Sequence, residues 1–137
     1  LTGQGEALVK EGLKGQTLFE VQRTIDEHKL EELTTALDSE TAGQTATLVP
    51  FFGPTIPGEE LFVERLGLDL SRALLAGIAY TWARPFKAGE QVNVKVSVED
   101  LYEKSGMQFV VVMSEFTDTA GELVQTHKAT FIERGAA

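Results

Sequence analysis

The run Tyr80-Thr81-Trp82-Ala83-Arg84-Pro85-Phe86-Lys87-Ala88-Gly89-Glu90-Gln91-Val92-Asn93-Val94-Lys95-Val96-Ser97-Val98 decides the fold. It opens with alternating aromatics, Tyr80 and Trp82, and turns a corner marked by Pro85 and Gly89. It then settles into a strict period of two. Val92, Val94, Val96 and Val98 fall on one side, with Asn93, Lys95, Ser97 and Glu99 on the other. A strand of that pattern is half-buried and antiparallel, with one face on a core and one in water.

Downstream the strand pattern continues. Strands are expected over 75–84, 91–103, 107–118 and 122–133. Lys104-Ser105-Gly106 and Thr119-Ala120-Gly121 read as hairpin turns, because each offers a glycine able to take positive φ. Phe109-Val110-Val111-Val112-Met113 does not alternate, which suits a central strand covered on both faces.

Upstream, 1–14 reads as a loose lead-in, and the domain proper spans 15–134. Thr17 to Gln22 reads as a short strand. A helix follows, with Asp26 as its N-cap, Glu27 favoured by the dipole, and Leu30, Leu33 and Leu37 as one apolar stripe. It is expected to end between Leu37 and Ser39. Residues 39–58 are irregular, broken by Gly43, Pro50, Gly53, Pro54, Pro57 and Gly58. They enclose an apolar knot, Leu48-Val49-Pro50-Phe51-Phe52, which reads equally as a pocket wall or as a loop packing its own side chains. Glu59 to Leu66 suits a short helix, whereas Leu68 to Leu75 fits a helix or the lead into a strand. Helices come early and strands late, so the class is α+β, one domain with a long curved antiparallel sheet on a helix.

Composition narrows the function. The 137 residues suffice for one core without staples. The formal charge is 12 − 21 = −9, which disfavours a nucleic-acid partner. Cysteine is absent and histidine occurs twice, as His28 and His127, so thiolate and multi-histidine metal sites are excluded and no metal or cofactor is expected. No apolar run approaches membrane-spanning length and no leader pattern precedes the fold. A cytoplasmic protein without membrane partners is the expectation.

Several short motifs occur in a telling order. Phe19-Glu20-Val21 precedes Leu30, Leu33 and Ala36-Leu37-Asp38; Val49-Pro50 follows with its aromatic neighbours. Then come Leu74, Tyr80-x-Trp82-x-Arg84-Pro85-Phe86, Ala88-Gly89-Glu90, and Gly121-Glu122-Leu123-Val124. Over roughly Leu13 to Arg134 this resembles the hotdog-fold MaoC-like hydratases and dehydratases. It is most similar to their N-terminal, FAS1-like dehydratase branch, which includes non-catalytic subunits of 3-hydroxyacyl-thioester dehydratases. The resemblance implies a single hotdog domain and an acyl thioester of coenzyme A or acyl carrier protein as ligand. It implies reversible hydration of an enoyl thioester, with a base for water, an acid for the α-carbon and donors at the thioester oxygen.

The family's catalytic Asp and His lie in a Gly-Asp-x-Asn-Pro-x-His pattern after the first helix. Here the matching stretch is Leu37-Asp38-Ser39-Glu40-Thr41-Ala42-Gly43, with the Asp kept as Asp38 and no His following. Asp38 is therefore the one catalytic candidate, and a helix-ending role competes with it. Pro50, Phe51, Phe52, Trp82 and Arg84 are the candidate substrate-binding residues. Tyr80 and Trp82 read first as core aromatics, and otherwise as walls of an acyl tunnel. Arg84 reads equally as a phosphate contact or as a partner of a carboxylate. His28 reads as an exposed helix histidine among acidic neighbours, and His127 as a satisfied core or rim residue on the face of Leu123, Ala129 and Phe131.

The reading that follows is an acyl-thioester-binding subunit of a hydratase or dehydratase, lacking its own Asp/His pair. It dimerises with itself or with a catalytic hotdog domain, edge to edge or helix to sheet. The alternatives are a non-catalytic acyl-CoA binding or regulatory module, and a hotdog thioesterase using one carboxylate among Asp38, Glu40 and Glu60.

Overall fold

The computed structural model describes residues 12–36 and 52–134. The described residues form a five-stranded antiparallel sheet with two helices, a hotdog domain. Strand β1 (Thr17–Thr24) leads into helix α1 (Glu27–Ala36). A short 3-10 turn (Gly53–Thr55), helix α2 (Glu59–Leu66) and a second 3-10 turn (Leu70–Arg72) follow. The chain then runs through β2 (Ala73–Trp82), β3 (Gln91–Lys104), β4 (Met107–Thr117) and β5 (Leu123–Arg134). The sheet order is β1-β3-β4-β5-β2, so β4 is central and β1 and β2 are the edges.

The valine run behaves as its period dictates. Val92, Val94, Val96 and Val98 are fully buried, and Asn93, Lys95 and Glu99 are exposed. Across β4 the same inner face continues as Val110, Val112, Ser114 and Phe116; across β5 as Gln125, His127, Ala129, Phe131 and Glu133. Ile25, Leu30, Phe62, Leu66 and Phe86 cover this face. Burying each such aliphatic side chain contributes about 1.5–3 kcal/mol, so the inner face is where most stabilisation resides. The non-alternating run of β4 has the expected central position, and its outer-face Val111 is also buried.

Local chemistry sets the ends. The Asp26 carboxylate accepts from the His28 amide at 2.8 Å, capping α1 as its sequence position predicts. Leu30 is buried and Leu33 half-buried; Leu37 lies outside the described residues. Helix α2 turns Phe62 and Leu66 inward and stops at Gly67, whose φ of 75° is the left-handed conformation of a helix C-cap. The ambiguous stretch Leu68 to Leu75 resolves into the second 3-10 turn and the start of β2, two residues earlier than expected. No helix among the described residues is long and apolar enough to cross a membrane.

Bulges in the two edge strands re-aim side chains. In β1 the register shifts between Thr17 and Phe19, so Leu18 and Phe19 are both buried, and the Leu18 carbonyl accepts from Arg65 Nη1 at 2.9 Å. In β2 the shift lies between Leu75 and Gly77. It places Leu75 opposite Phe131 and Ile78 opposite Ala129, so both share the inner face although three positions apart. Strict alternation would have put them on opposite faces.

The β3–β4 hairpin closes on two residues with positive φ, Ser105 at 55° and Gly106 at 76°. That is the primed turn whose twist matches the strands, and serine is the weaker choice there. Ser105→Asn is expected to raise stability by about 0.5 kcal/mol, and Gly106→Ala to lower it by about 1 kcal/mol. Urea denaturation of both variants checks this.

Candidate functional site

The inner face carries a polar interruption that its neighbours make conspicuous. Cross-strand pairing sets Val96, Ser114, His127 and Tyr80 side by side, one from each of β3, β4, β5 and β2. The next row is Val94, Phe116, Gln125 and Trp82. Ser114, Gln125 and His127 are buried among carbon. The His127 ring lies 4.5 Å from the Phe116 ring and 4.9 Å, edge-on, from the Tyr80 ring. Gly53 of the first 3-10 turn closes the top: a Cβ there would run into the Ser114 side chain and come within 3.7 Å of His127 Nδ1. Among the described residues, Ser114 Oγ and both His127 ring nitrogens have no hydrogen-bond partner. His127 is the core residue expected, but among the described residues its ring nitrogens have no hydrogen-bond partner. Burial disfavours the imidazolium and pushes the His127 pKa from 6.5 down to about 4, so the ring is neutral near pH 7.

Of the residues singled out in the sequence, Asp38, Glu40, Pro50 and Phe51 lie outside the described residues. Phe52 is half-buried and meets the Phe131 ring edge-on at 6.5 Å, beside the Gly53 closure. Trp82 stacks on Tyr80 at 5.9 Å, but the two are 47% and 41% exposed. They are not core aromatics in this chain, because β2 is an edge strand and nothing described covers its inner face. Arg84 is engaged by two carboxylates, donating to Glu90 at 3.0 Å and to Asp118 at 3.3 Å. Its hydrogen bonds tie the corner before β3 to the β4–β5 turn, so Arg84 is paired to carboxylates. Hydrogen bonds from the Glu122 amide, from Arg84 and from the Ala120 amide hold the Asp118 carboxyl below its ordinary range. His28 is exposed and bonds Glu32 at 2.9 Å, and Glu60 is exposed in the first turn of α2. Neither touches the polar row.

A family model described as the FAS1-like, dehydratase domain region matches residues 15–127. The chain belongs to that family. Among curated relatives it is 37% identical over 73 residues to a UPF0336 protein of Saccharopolyspora erythraea, covering 53% of this chain and 47% of the relative. It is 30% identical over 104 residues to a UPF0336 protein of Thermobifida fusca, covering 70% of this chain and 66% of the relative. The chain thus spans half to two thirds of the length of these relatives. Among solved structures it is similar to a MaoC-like dehydratase, with a TM-score of 0.70, 19% identity, and 92% of this chain on 43% of that one. It is also similar to the HadBC (3R-hydroxyacyl-ACP dehydratase) complex of Mycobacterium tuberculosis, with a TM-score of 0.66, 17% identity, and 90% of this chain on 98% of that one.

In this FAS1-like dehydratase domain the polar row was only half visible in the sequence. His127 stood out as a rare residue type. Ser114 did not, although it is the one polar residue in the inner-face series Val110, Val112, Ser114, Phe116. Gly53 read only as loop punctuation. A second buried ionisable group, Glu133, lies at the far end of β5, where it accepts from the Asp69 amide at 2.9 Å. Burial raises its pKa, with the Asp69 amide and Arg72 opposing.

The site yields two predictions. A folded-state pKa below the unfolded value stabilises the fold above pH 6.5, and that contribution is lost as pH falls from 6.5 toward about 4. The loss expected for His127 is on the order of 3 kcal/mol. The stability difference between wild type and His127→Phe should therefore change steeply across that window in urea titrations and stay flat above it. Gly53→Ala should destabilise the fold by about 1–3 kcal/mol through overpacking. Ser114→Gly, which removes the colliding Cβ and Oγ, should relieve most of that loss in the double variant.

Proposed function

We propose that this chain is the acyl-thioester-binding subunit of an enoyl-thioester hydratase or 3-hydroxyacyl-thioester dehydratase, completed by a second hotdog domain that supplies the Asp/His pair. The observation that carries this reading is the unfinished β2 edge. Leu74, Leu75, Ile78, Tyr80 and Trp82 are 60, 49, 40, 41 and 47% exposed, and among the described residues β2 pairs with β5 alone. Such an edge is a template for another strand, and a contiguous apolar stripe on it marks an interaction surface. Four of these side chains belong to the inner face. A partner strand along β2 therefore extends the same concave surface from one domain into the next.

The chain's own chemistry supports a division of labour. Hydration needs a base and an acid beside the thioester. His28 precedes Asp38 in the sequence, and His127 lies far after it, enclosed on β5, so neither histidine falls in the family's Asp-then-His spacing. The carrying surface for the acyl chain is the apolar inner face by Phe52 and Phe131, opening past Trp82. Arg84, tied to Glu90 and Asp118, holds the corner that presents Trp82 rather than meeting a phosphate.

The test is hydration of crotonyl-CoA and of a longer enoyl-CoA, followed in the ultraviolet. The chain alone should be inactive, and activity should appear when a hotdog domain carrying the Asp/His pair is added. Robust turnover by the chain alone would overturn the reading. Binding of acyl-CoA without turnover in either case would make the chain a regulatory module instead. Ile78→Glu, which charges the middle of the β2 stripe, should abolish assembly in sedimentation experiments while the thermal transition is retained; unchanged assembly would place the partner elsewhere.

A further inference from the structure

Glu133 is a buried carboxyl with no part in acyl-thioester chemistry. It is 0% exposed, next to last in β5, and ends the inner-face series Gln125, His127, Ala129, Phe131. Cross-strand pairing sets it opposite Ala73, the first residue of β2, and opposite Gln108 of β4. Its Oε2 accepts from the Asp69 amide at 2.9 Å, and its Oε1 has no partner among the described residues. We propose that Glu133 is a proton-operated latch on the entry to β2. Protonated, it holds the second 3-10 turn against β5; ionised, it lets that turn and the first residues of β2 open.

The turn is built to move as one piece. Asp69 caps it from within, accepting from the Ser71 amide at 3.0 Å, the Ser71 hydroxyl at 2.6 Å and Arg72 Nε at 3.0 Å. Those bonds stay inside the segment and survive when it swings out. The bond from the Asp69 amide to Glu133 crosses to the sheet instead. On the α2 side, Leu68 is buried, and its amide and that of Gly67 both bond the Val63 carbonyl. The fixed point therefore lies just before Asp69. Beyond it Leu70, Leu74 and Leu75 are exposed, so little apolar contact holds the segment down.

The charge on Glu133 decides the balance. An enclosed carboxylate with one hydrogen bond has lost its hydration, so burial favours the neutral acid. The charged groups facing it are Asp69 and Arg72 of the 3-10 turn, which pair with each other at 3.0 Å and act in opposite directions on Glu133. β2 and β4 present the uncharged Ala73 and Gln108, while Glu103 of β3 and Arg134 of β5 are exposed. Burial thus raises the carboxyl above its ordinary 4.5. Opening returns it to water and to that ordinary value, so opening is coupled to proton loss and grows as pH rises above 4.5. The consequence for assembly rests on the reading of β2 as the partner's edge. Leu74 and Leu75 belong both to the opening segment and to the apolar stripe, so the ionised form offers a shorter edge.

The experiment follows amide hydrogen exchange by NMR in the chain alone as pH is raised, corrected for intrinsic exchange. Protection of the Asp69 amide should fall about tenfold per pH unit above 4.5, levelling once the closed form ionises, whereas the core amide of Val112 should show no such fall. Glu133→Gln keeps an acceptor and removes the charge, so its Asp69 protection should be level. Level protection in the wild type, or an equal fall in Glu133→Gln, would overturn the latch. Sedimentation with the hotdog partner, on either side of the transition, should show tighter assembly at the lower pH, and less pH dependence for Glu133→Gln. Assembly equally pH-dependent in both proteins would overturn the regulatory consequence. Absence of assembly at any pH would overturn the partner reading and not the latch, which exchange in the chain alone decides.

Discussion

Register between β3 and β4 is the constraint on which the rest of the molecule depends. Val94 opposite Phe116, Val96 opposite Ser114 and Val98 opposite Val112 put the whole β3 valine series on the same face as Val112, Ser114 and Phe116 of β4. Because side chains alternate with a period of two, a slip of one residue would turn the whole valine series into water and bring Lys95 and Asn93 into the core. That cost makes the pairing unique. The β4–β5 and β2–β5 ladders then inherit their faces from it, and the rows that cross the sheet are determined once this first pair is set.

One consequence of that inheritance is the placement of polar groups where packing alone would favour carbon. Ser114 and His127 stand at matched positions because β4 and β5 pair as they do, and Gly53 meets Ser114 because the 3-10 turn follows the same face. The site is built from four separated segments, and none of them carries it alone. The depressed basicity of His127 comes from this enclosure and not from a charged neighbour. The ring is held as a neutral donor and acceptor through the physiological range.

A second consequence is that the sheet ends abruptly. At β1 the edge is short and its bulge carbonyl is taken by Arg65. At β2 a ten-residue strand presents aromatic and aliphatic side chains, and among the described residues one side of its backbone is unpaired. The bulge near Ala76 brings Leu75 into line with Ile78, Tyr80 and Trp82, widening the apolar stripe rather than twisting it away from use. The two edges thus differ: Arg65 bonds one backbone carbonyl of β1, whereas β2 exposes an apolar stripe.

The sequence by itself determined the half-buried β3 strand, the Asp26-capped helix, the hairpin turns and the family, because these rest on periods and spacings along the chain. Valine alternation and a capping carboxylate act within a few residues, so their consequences can be read locally. Only the tertiary structure decided that Tyr80 and Trp82 are exposed, that Arg84 is engaged by Glu90 and Asp118, and that His127 lacks a described partner beside Ser114. Each of those outcomes depends on which strand lies next to which. An aromatic on an edge strand and one on a central strand look alike in sequence, and a bulge shifts faces without a mark in the hydrophobic pattern. Burial and pairing across the sheet are properties of strand order, and strand order is settled only when the whole inner face is assembled.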